Sequence, residues 1–313
     1  MKKWLLVDDF HPALMEGLLL HGIDFDYRPD IDETAIRACI SRYSGLLIRS
    51  KMRVDRTLIE SASQLCFIGR GGSGLDNIDE RACAERNITL FNAAGANADA
   101  VGEQTLAMLL SLFTNLHKAD AEVRRGIWDR EGNRGLELAG RTVGIIGFGH
   151  TGSAFARKLS GLGVRVLAYD KHAPATEGQG VEPCELVNLL SESDIVSFHV
   201  PLTPETRYWV NDAFIDSLSR PIWLLNLSRG EVVDTAAVWR AIQSGKIRGF
   251  AADVLEREPP MDLGSPIAET LRAMSADYRC VLAPHIGGWT HESYRKISEE
   301  LLHKSLLIMG LVD

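Results

Sequence analysis

The sequence predicts an α/β protein built from two doubly wound parallel-sheet domains. Three observations lead there: a length of 313 residues, two successive series of short apolar runs alternating with helical patterns, and a long apolar helical stretch between the series. At roughly 100–200 residues per domain, the length suits two domains. Alternating β and α elements imply parallel strands whose sheets are covered on both faces.

In the first series WLLVDD (4–9), GLLIRS (45–50), CFIG (66–69) and ITLFN (88–92) read as strands. Ala13–Leu20, Asp32–Ser41, Asp55–Ser61 and Asp79–Glu85 turn as helices between them, with Asp32, Asp55 and Asp79 as N-caps. Ala98–Arg125 then reads as one long helix. Val101, Thr105, Met108, Leu109, Leu112 and Leu116 share a stripe that Leu106, Leu110 and Phe113 widen. A helix apolar around most of its surface is buried on most sides. It either lies in the core between domains or also packs against a second subunit, and periodicity does not separate the two.

The second series reads TVGIIG (142–147), VRVLAYD (164–170), DIVSFHV (194–200), IWLLNLS (222–228), GFAADV (249–254) and RCVLAP (279–284) as strands. Helical candidates, including Ser153–Leu162 and Thr235–Gln243, fill the gaps, and Thr290–Leu311 forms a last helix outside both series.

Composition narrows the function. Apolar residues are 45% and charged residues 24%, an ordinary globular balance. Lys and Arg total 34 against 42 Asp and Glu, a formal charge of −8 that argues against a nucleic-acid binder but is compatible with a local basic pocket. The opening MKKWLLVDDF begins like a signal peptide, but its apolar run stops at Asp8 and Asp9. No run of about 18 apolar residues points to a membrane span. The five cysteines (39, 66, 83, 184 and 280) form no CxxC, which fits reduced thiols in the cytoplasm. Neither HExxH nor paired Cys/His spacing occurs, so no metal is expected.

One motif carries cofactor chemistry. Gly147-Phe148-Gly149-His150-Thr151-Gly152 follows a strand and opens a helix, and Asp170 ends the next strand 18 residues beyond Gly152. With 28 glycines in the chain the pattern alone is weak; the strand, helix and acid around it make a dinucleotide site. Gly147 permits a tight turn, Gly149 lets backbone approach a pyrophosphate, and Gly152 lets helix and strand pack closely. The helix N-terminus offers free N–H groups to the phosphates. Asp170 accepts from ribose hydroxyls and repels a 2′-phosphate, which favours NAD over NADP, a preference that Lys171 and His172 soften.

Ligands of open α/β sheets bind beyond the carboxyl ends of the strands. There this chain places His199, Val200 and Pro201; Leu227, Ser228 and Arg229; Asp253 and then Glu258; and His285, Gly287 and Gly288. Hydride transfer between a nicotinamide and a 2-hydroxy acid needs a cation for the carboxylate and an acid–base for the hydroxyl proton. Arg229 supplies a planar fork, His285 supplies the imidazole of an acid–base, and Glu258 can orient it. Each residue alone has a structural explanation; three at strand ends are harder to dismiss.

These blocks resemble the D-2-hydroxyacid dehydrogenase family, most of all its phosphoglycerate dehydrogenases. The matching segments are GRGGSGLDNID (69–79), NAAGANADAVGE (92–103), GIIGFGHTG (144–152), HVPLTPET (199–206), NLSRGEVVD (226–234), AADVLEREPP (251–260) and PHIGG (284–288). The resemblance implies that Arg229 binds the substrate carboxylate and carbonyl, and that Glu258 supports His285 as the acid–base. It implies NAD contacts at Gly147, Gly149, His150, Thr151, Gly152, Asp170, Lys171, His199, Leu227, Ser228, Arg229, His285, Gly287 and Gly288. Asp253 would contact the nicotinamide amide, and Val200 with Pro201 would flank the adenine side. It also implies a Rossmann NAD-binding domain, 98–288, inserted into a discontinuous flavodoxin-like substrate domain, 1–97 and 289–313. The substrate would sit in a cleft that closes about the two crossings, and the protein would be a homodimer through the cofactor domain.

Substrate contacts are expected from Arg49, Ser50, Lys51, Gly72, Ser73, Gly74 and Asn97, with Arg229 and His285. Arg49, Lys51 and Arg53, at alternate positions of an extended segment, favour a phosphorylated 2-hydroxy or 2-keto acid over a plain solvated loop edge. Only 25 residues follow Gly288, so the regulatory C-terminal domains of longer relatives are not expected. Trp289 stands where many members carry a small residue and would reshape either the pocket or the subunit contact. A competing function is an NAD-sensing module, such as the co-repressors of this superfamily; the complete Arg229, Glu258 and His285 set argues against it. A formate-type dehydrogenase is rejected, because those relatives carry Gln at the position of Glu258.

Overall fold

The computed structural model describes residues 3–172, 180–258 and 264–312. The chain forms two compact units, one made of residues up to Asn97 together with those from Trp289 on, the other of Ala98–Gly288.

The first unit runs β1 (Lys3–Leu6), α1 (Pro12–Leu20), β2 (Asp24–Tyr27), α2 (Glu33–Cys39), β3 (Gly45–Ile48), α3 (Arg56–Ser61), β4 (Phe67–Arg70), α4 (Glu80–Glu85) and β5 (Thr89–Asn92). Its five strands are all parallel, in the order β2-β1-β3-β4-β5. This is the flavodoxin-like order, with its switch point between β1 and β3. Asp32, Asp55 and Asp79 cap α2, α3 and α4, each side chain accepting the amide three residues on. The last helix of the chain, His291–Ile308, opens on a capping box between Thr290 and Ser293. Its Ile297 and Leu301 share a core with Trp4, Leu6, Leu14 and Leu18. A Cβ on Gly17 of α1 would fall 2.1 Å from Leu302 Cδ2, so the two helices pack closely here and a larger residue would have to displace the Leu302 side chain.

The second unit departs from the sequence expectation at its first helix. The stretch expected as one helix is two, α5 (Ala98–Thr114) and α6 (Leu116–Arg124). Asn115 between them adopts φ +54°, a left-handed conformation that asparagine tolerates better than most residues and that ends a right-handed helix. Leu116, expected on the buried stripe, is 63% exposed. Then follow β6 (Thr142–Ile146), α7 (His150–Leu159), β7 (Arg165–Tyr169), β8 (Val181–Pro183), α8 (Leu186–Glu192), β9 (Ile195–Phe198), α9 (Asp212–Ser217), β10 (Ile222–Asn226), α10 (Thr235–Ser244), β11 (Ile247–Ala252), α11 (Pro266–Ser275) and β12 (Cys280–Leu282); the last helix is α12. The seven strands are parallel in the order β12-β11-β10-β9-β6-β7-β8. The chain winds outward from β6 to β8 and returns at β9, which places the switch point between β6 and β9.

The sequence reading missed β2 and β8. Both are edge strands, four and three residues long, with polar or partly exposed positions, and β8 contains Pro183. Neither carries the continuous apolar run that marks a strand buried on both faces. Helix α7 starts at His150, three residues before the expected Ser153. Among the described residues no helix is long and apolar enough to cross a membrane.

Candidate active site

The glycine-rich turn after β6 shows three separate uses of glycine. Gly147 has φ +90°, and a Cβ on it would lie 2.5 Å from the carbonyl oxygen of His199, so two strand-end loops touch at the switch point. A Cβ on Gly152 would lie 2.1 Å from the carbonyl oxygen of Gly147. At Gly149, the N-cap of α7, a Cβ would meet nothing within 4 Å. The amide of Ser153 bonds to the carbonyl of Gly149, so the preceding amides of His150, Thr151 and Gly152 belong to the first turn, which has no helical acceptors. Asp170, at the end of β7, accepts from the Phe148 amide at 2.7 Å through one oxygen and from the His172 amide at 2.8 Å through the other. The carboxylate thus braces the glycine-rich turn. Lys171 pairs with Glu205 at 2.6 Å; the bond raises the ammonium pKa and lowers that of the carboxyl.

After β9 the ring of His199 is buried against Phe155, with Nε2 2.8 Å from the Ser197 hydroxyl and Nδ1 without a partner. Burial pushes its pKa down to about 3, so the imidazole is neutral. Val200 leans on Gly147, and the Pro201 carbonyl accepts from the Thr206 hydroxyl.

The turn after β10 is built by Asn226, which is fully buried. Its Oδ1 accepts from the amide and hydroxyl of Ser228, at 3.1 and 2.8 Å, and its Nδ2 donates to the carbonyl of Arg229 at 2.9 Å. This sets the path of Leu227, Ser228 and Arg229. The sequence marks Asn226 only by a lone amide that closes a five-residue buried strand. Arg229 Nη1 donates to the Ser228 carbonyl at 2.8 Å. A Cβ on Gly230 would fall 1.8 Å from the Leu255 carbonyl oxygen, so the turn presses directly on the loop after β11.

That loop and the one after β12 meet at Asp253, which is buried. Its carbonyl accepts from the His285 amide, and its two carboxylate oxygens accept from the amides of Ile286 and Gly287. His285 has φ +56°, a left-handed conformation uncommon outside glycine. Its Nδ1 lies 2.8 Å from one Glu258 oxygen and 3.0 Å from the other. Nδ1–H donates to the carboxylate, which leaves Nε2 to the open side. This bond holds the Glu258 carboxyl below its usual range against the opposing effect of burial, with the Arg229 cation adding to the lowering. The structure therefore brings Arg229, Glu258 and His285 into one electrostatic group. Pro259 and Pro260, part of the matched block, lie outside the described residues.

In the first unit the loop after β4 carries Gly72, Ser73 and Gly74. The Ser73 hydroxyl bonds to Asn97 Oδ1 at 2.9 Å, and Asn92 Nδ2 donates to the Ser73 carbonyl. The basic stretch differs from expectation. Residues 49–52 form bends, not an extended segment, so the side chains do not alternate. Arg49 is buried: its guanidinium stacks 4.4 Å from the Trp289 ring and 5.5 Å from that of Tyr294, and it donates to the Asp9 carbonyl. Lys51 donates to the Pro29 carbonyl, while Ser50 and Arg53 are exposed. Aromatic and carbonyl partners of the buried Arg49 outcompete mutual alignment of the three cations. Trp289 itself is 67% exposed. Among the described residues no three His, Cys, Asp or Glu side chains group as a metal site.

The family model described as "D-isomer specific 2-hydroxyacid dehydrogenase, NAD binding domain" matches residues 106–287. A hydroxypyruvate reductase from Thermotoga maritima is 33% identical over 281 residues, covering 90% of each chain. A D-3-phosphoglycerate dehydrogenase from Methanocaldococcus jannaschii is 36% identical over 94% of this chain but only 55% of its own, so the present chain spans about half the length of that relative. Among solved structures, D-lactate dehydrogenase from Aquifex aeolicus, complexed with NAD and lactic acid, superposes with a TM-score of 0.86 at 25% identity, over 98% of this chain and 96% of its own.

Fold and site together define an NAD-dependent oxidoreductase with a parallel-sheet dinucleotide domain. The chain belongs to the D-isomer specific 2-hydroxyacid dehydrogenase family.

Proposed function

We propose that the chain transfers a hydride between NAD and a D-2-hydroxy or 2-keto acid of three carbons with an oxygen on C3, using Arg229, Glu258 and His285. The observation that carries this reading is the bond from His285 Nδ1 to both oxygens of Glu258, beside the Arg229 cation. Such a pair favours turnover over an NAD-sensing module. The C3-oxygenated acid is the chemistry that the names of the two quoted sequence relatives share.

The residues fit the cofactor. Open space beyond Gly149 and the first-turn amides of α7 suit a pyrophosphate, and Asp170, at the end of β7, would accept from the ribose hydroxyls. His199, Val200 and Pro201 would border the adenine side, with Lys171 near it. Leu227, Ser228, Asp253, Gly287 and Gly288 would border the nicotinamide side. NAD, when bound, accepts or supplies the hydride. His285 Nε2 gives a proton to the keto oxygen in reduction and takes it back in oxidation. Glu258 orients the ring and stabilises its protonated form. Arg229 holds the carboxylate with its planar fork and polarises the carbonyl. We assign side-chain selection to Gly72, Ser73, Gly74 and Asn97, with Arg49, Ser50 and Lys51 nearby in the same unit.

Initial rates of NADH oxidation with hydroxypyruvate, phosphohydroxypyruvate, pyruvate and glyoxylate test the reading. The two C3-oxygenated acids are expected to lead, and their ratio decides whether the phosphate is recognised. Equal rates with pyruvate would defeat the substrate assignment, and no turnover with any acid would defeat the enzymatic one.

We further propose a homodimer through the second unit. Leu116, Val123, Ile127 and Trp128, the last 79% exposed, lie along α6 and the segment after it. A concavity of about 790 Å³, lined among others by Trp223, Trp239 and Tyr278, offers a seat for such side chains. Five cysteines without disulfides accord with a cytoplasmic location. Sedimentation of wild type and Trp128→Glu measures the oligomeric part.

A further inference from the structure

Tyr208, in the loop after β9, has φ +51°. A bulky aromatic residue rarely takes this left-handed conformation, and it persists where the surroundings over-determine it, often beside functional groups. Three hydrogen bonds do so here. The Tyr208 amide donates to the Glu231 carbonyl at 2.7 Å, its carbonyl accepts from Asn211 Nδ2 at 2.9 Å, and its hydroxyl donates to Glu256 Oε1 at 3.1 Å. The other oxygen of Glu256 accepts from the amide of Thr235, the first residue of α10, at 3.1 Å. One carboxylate therefore ties the loop after β11 to the loop after β9 and to the helix that follows the Arg229 turn.

Glu256 stands two residues before Glu258. Arg257 between them is exposed, so Glu256 is the nearest preceding residue with side-chain hydrogen bonds. Leu255, on its other side, presses its carbonyl against Gly230 beside Arg229, and its backbone N–H adds to the lowering of the Glu258 carboxyl pKa. We propose that Tyr208 and Glu256 are positioning residues: their hydrogen bond holds the Leu255–Glu258 loop so that the Glu258 carboxylate meets His285 Nδ1. The proposal builds on the reading of Glu258 and His285 as the acid–base pair.

The test compares Tyr208→Phe, Glu256→Gln and Glu256→Ala with Glu258→Gln. The readouts are the pH profile of keto-acid reduction, kcat and KM separately, and NADH binding by fluorescence. Tyr208→Phe removes one oxygen atom, leaves the ring in place and so preserves folding. It is expected to lower kcat up to about ten-fold, since small misplacements of catalytic groups are costly. It should also move the pH at which reduction fades downward, in the direction of Glu258→Gln but by less, with NADH binding unchanged. Glu256→Ala should act more strongly than Glu256→Gln, which keeps one acceptor oxygen. A merely structural brace would lower the melting temperature without moving the pH profile. If Glu258→Gln moves the profile and neither Tyr208→Phe nor Glu256→Ala does, the positioning role is wrong and the catalytic pair stands. If Glu258→Gln itself leaves the profile in place, the pair is misassigned and the positioning role falls with it.

Discussion

Asp253 holds the segment of His285 by three consecutive amides. Its carbonyl accepts from His285 N at 2.7 Å, and its carboxylate accepts from Ile286 at 2.8 Å and Gly287 at 2.7 Å. A Cβ on Gly287 would fall 2.8 Å from the same carboxylate. The left-handed φ of His285 is set by this clamp, because three successive N–H groups must turn toward one residue. Asp253→Asn keeps one acceptor and turns an NH2 toward a buried amide. An unmet buried donor costs about 1–3 kcal/mol. Urea unfolding should show a loss of that order, together with a lower kcat; unchanged stability and rate would mean that the clamp is dispensable.

The glycine-rich turn gives a paired prediction. Gly149→Ala places its methyl in open space, so the protein should fold with near-normal stability and bind NADH more weakly. Gly152→Ala drives a methyl to 2.1 Å from a backbone oxygen that cannot easily move, so it should destabilise the fold itself. Thermal melts with and without NADH separate the two. Equal behaviour of both variants would contradict the division of roles.

Asp170→Ala should weaken NADH binding and narrow the preference over NADPH, because it removes both a ribose acceptor and the charge that repels a 2′-phosphate. The Phe148 and His172 amides also lose their acceptor, so some loss of stability should accompany the change. The measurement is KM for each dinucleotide. A wild type that uses both equally well would show that Asp170 does not face the ribose.

His199 predicts a pH dependence of stability. Its folded pKa, about 3, lies below the ordinary value of 6.5 because the ring is buried. Between those values the unfolded chain binds a proton that the folded chain does not, so stability rises with pH across this window. The contribution is fully present above pH 6.5 and is lost as pH falls toward 3, with a slope up to about 1.4 kcal/mol per pH unit. His199→Gln cannot titrate, so its melting temperature should fall less steeply between pH 6.5 and 4.5 than that of wild type. Parallel slopes would place the acid sensitivity elsewhere.

Local signals were legible because they need only neighbours in the chain. Asp32, Asp55 and Asp79 cap helices through an amide three residues away, and the spacing of Gly147, Gly149 and Gly152 encodes a turn, an open approach and a close contact within six residues. Apolar runs such as Leu46–Ile48 announce strands covered on both faces. The ends of those strands pointed to Arg229, Glu258 and His285 as one group, and the structure places them in one electrostatic group.

Other features depend on partners far along the chain, and no local pattern encodes them. The short edge strands β2 and β8 exist because β1 and β7 offer them open hydrogen-bonding edges. Asn115 breaks a periodicity that continues in the residues on either side of it. Arg49 reads as a free cation beside Lys51 and Arg53, yet it is buried against Trp289 and Tyr294, 240 and 245 positions away. Tyr208 and Glu256 meet across 48 positions, and Asn226 organises a turn only because its amide is sealed within a sheet. The sequence alone determined which chemical groups stand at the strand ends, since strand and turn propensities act over a few residues. Tertiary packing decided which of those groups are held, paired or buried, since a side chain's hydrogen bonds and solvent exposure depend on whatever part of the chain is folded against it.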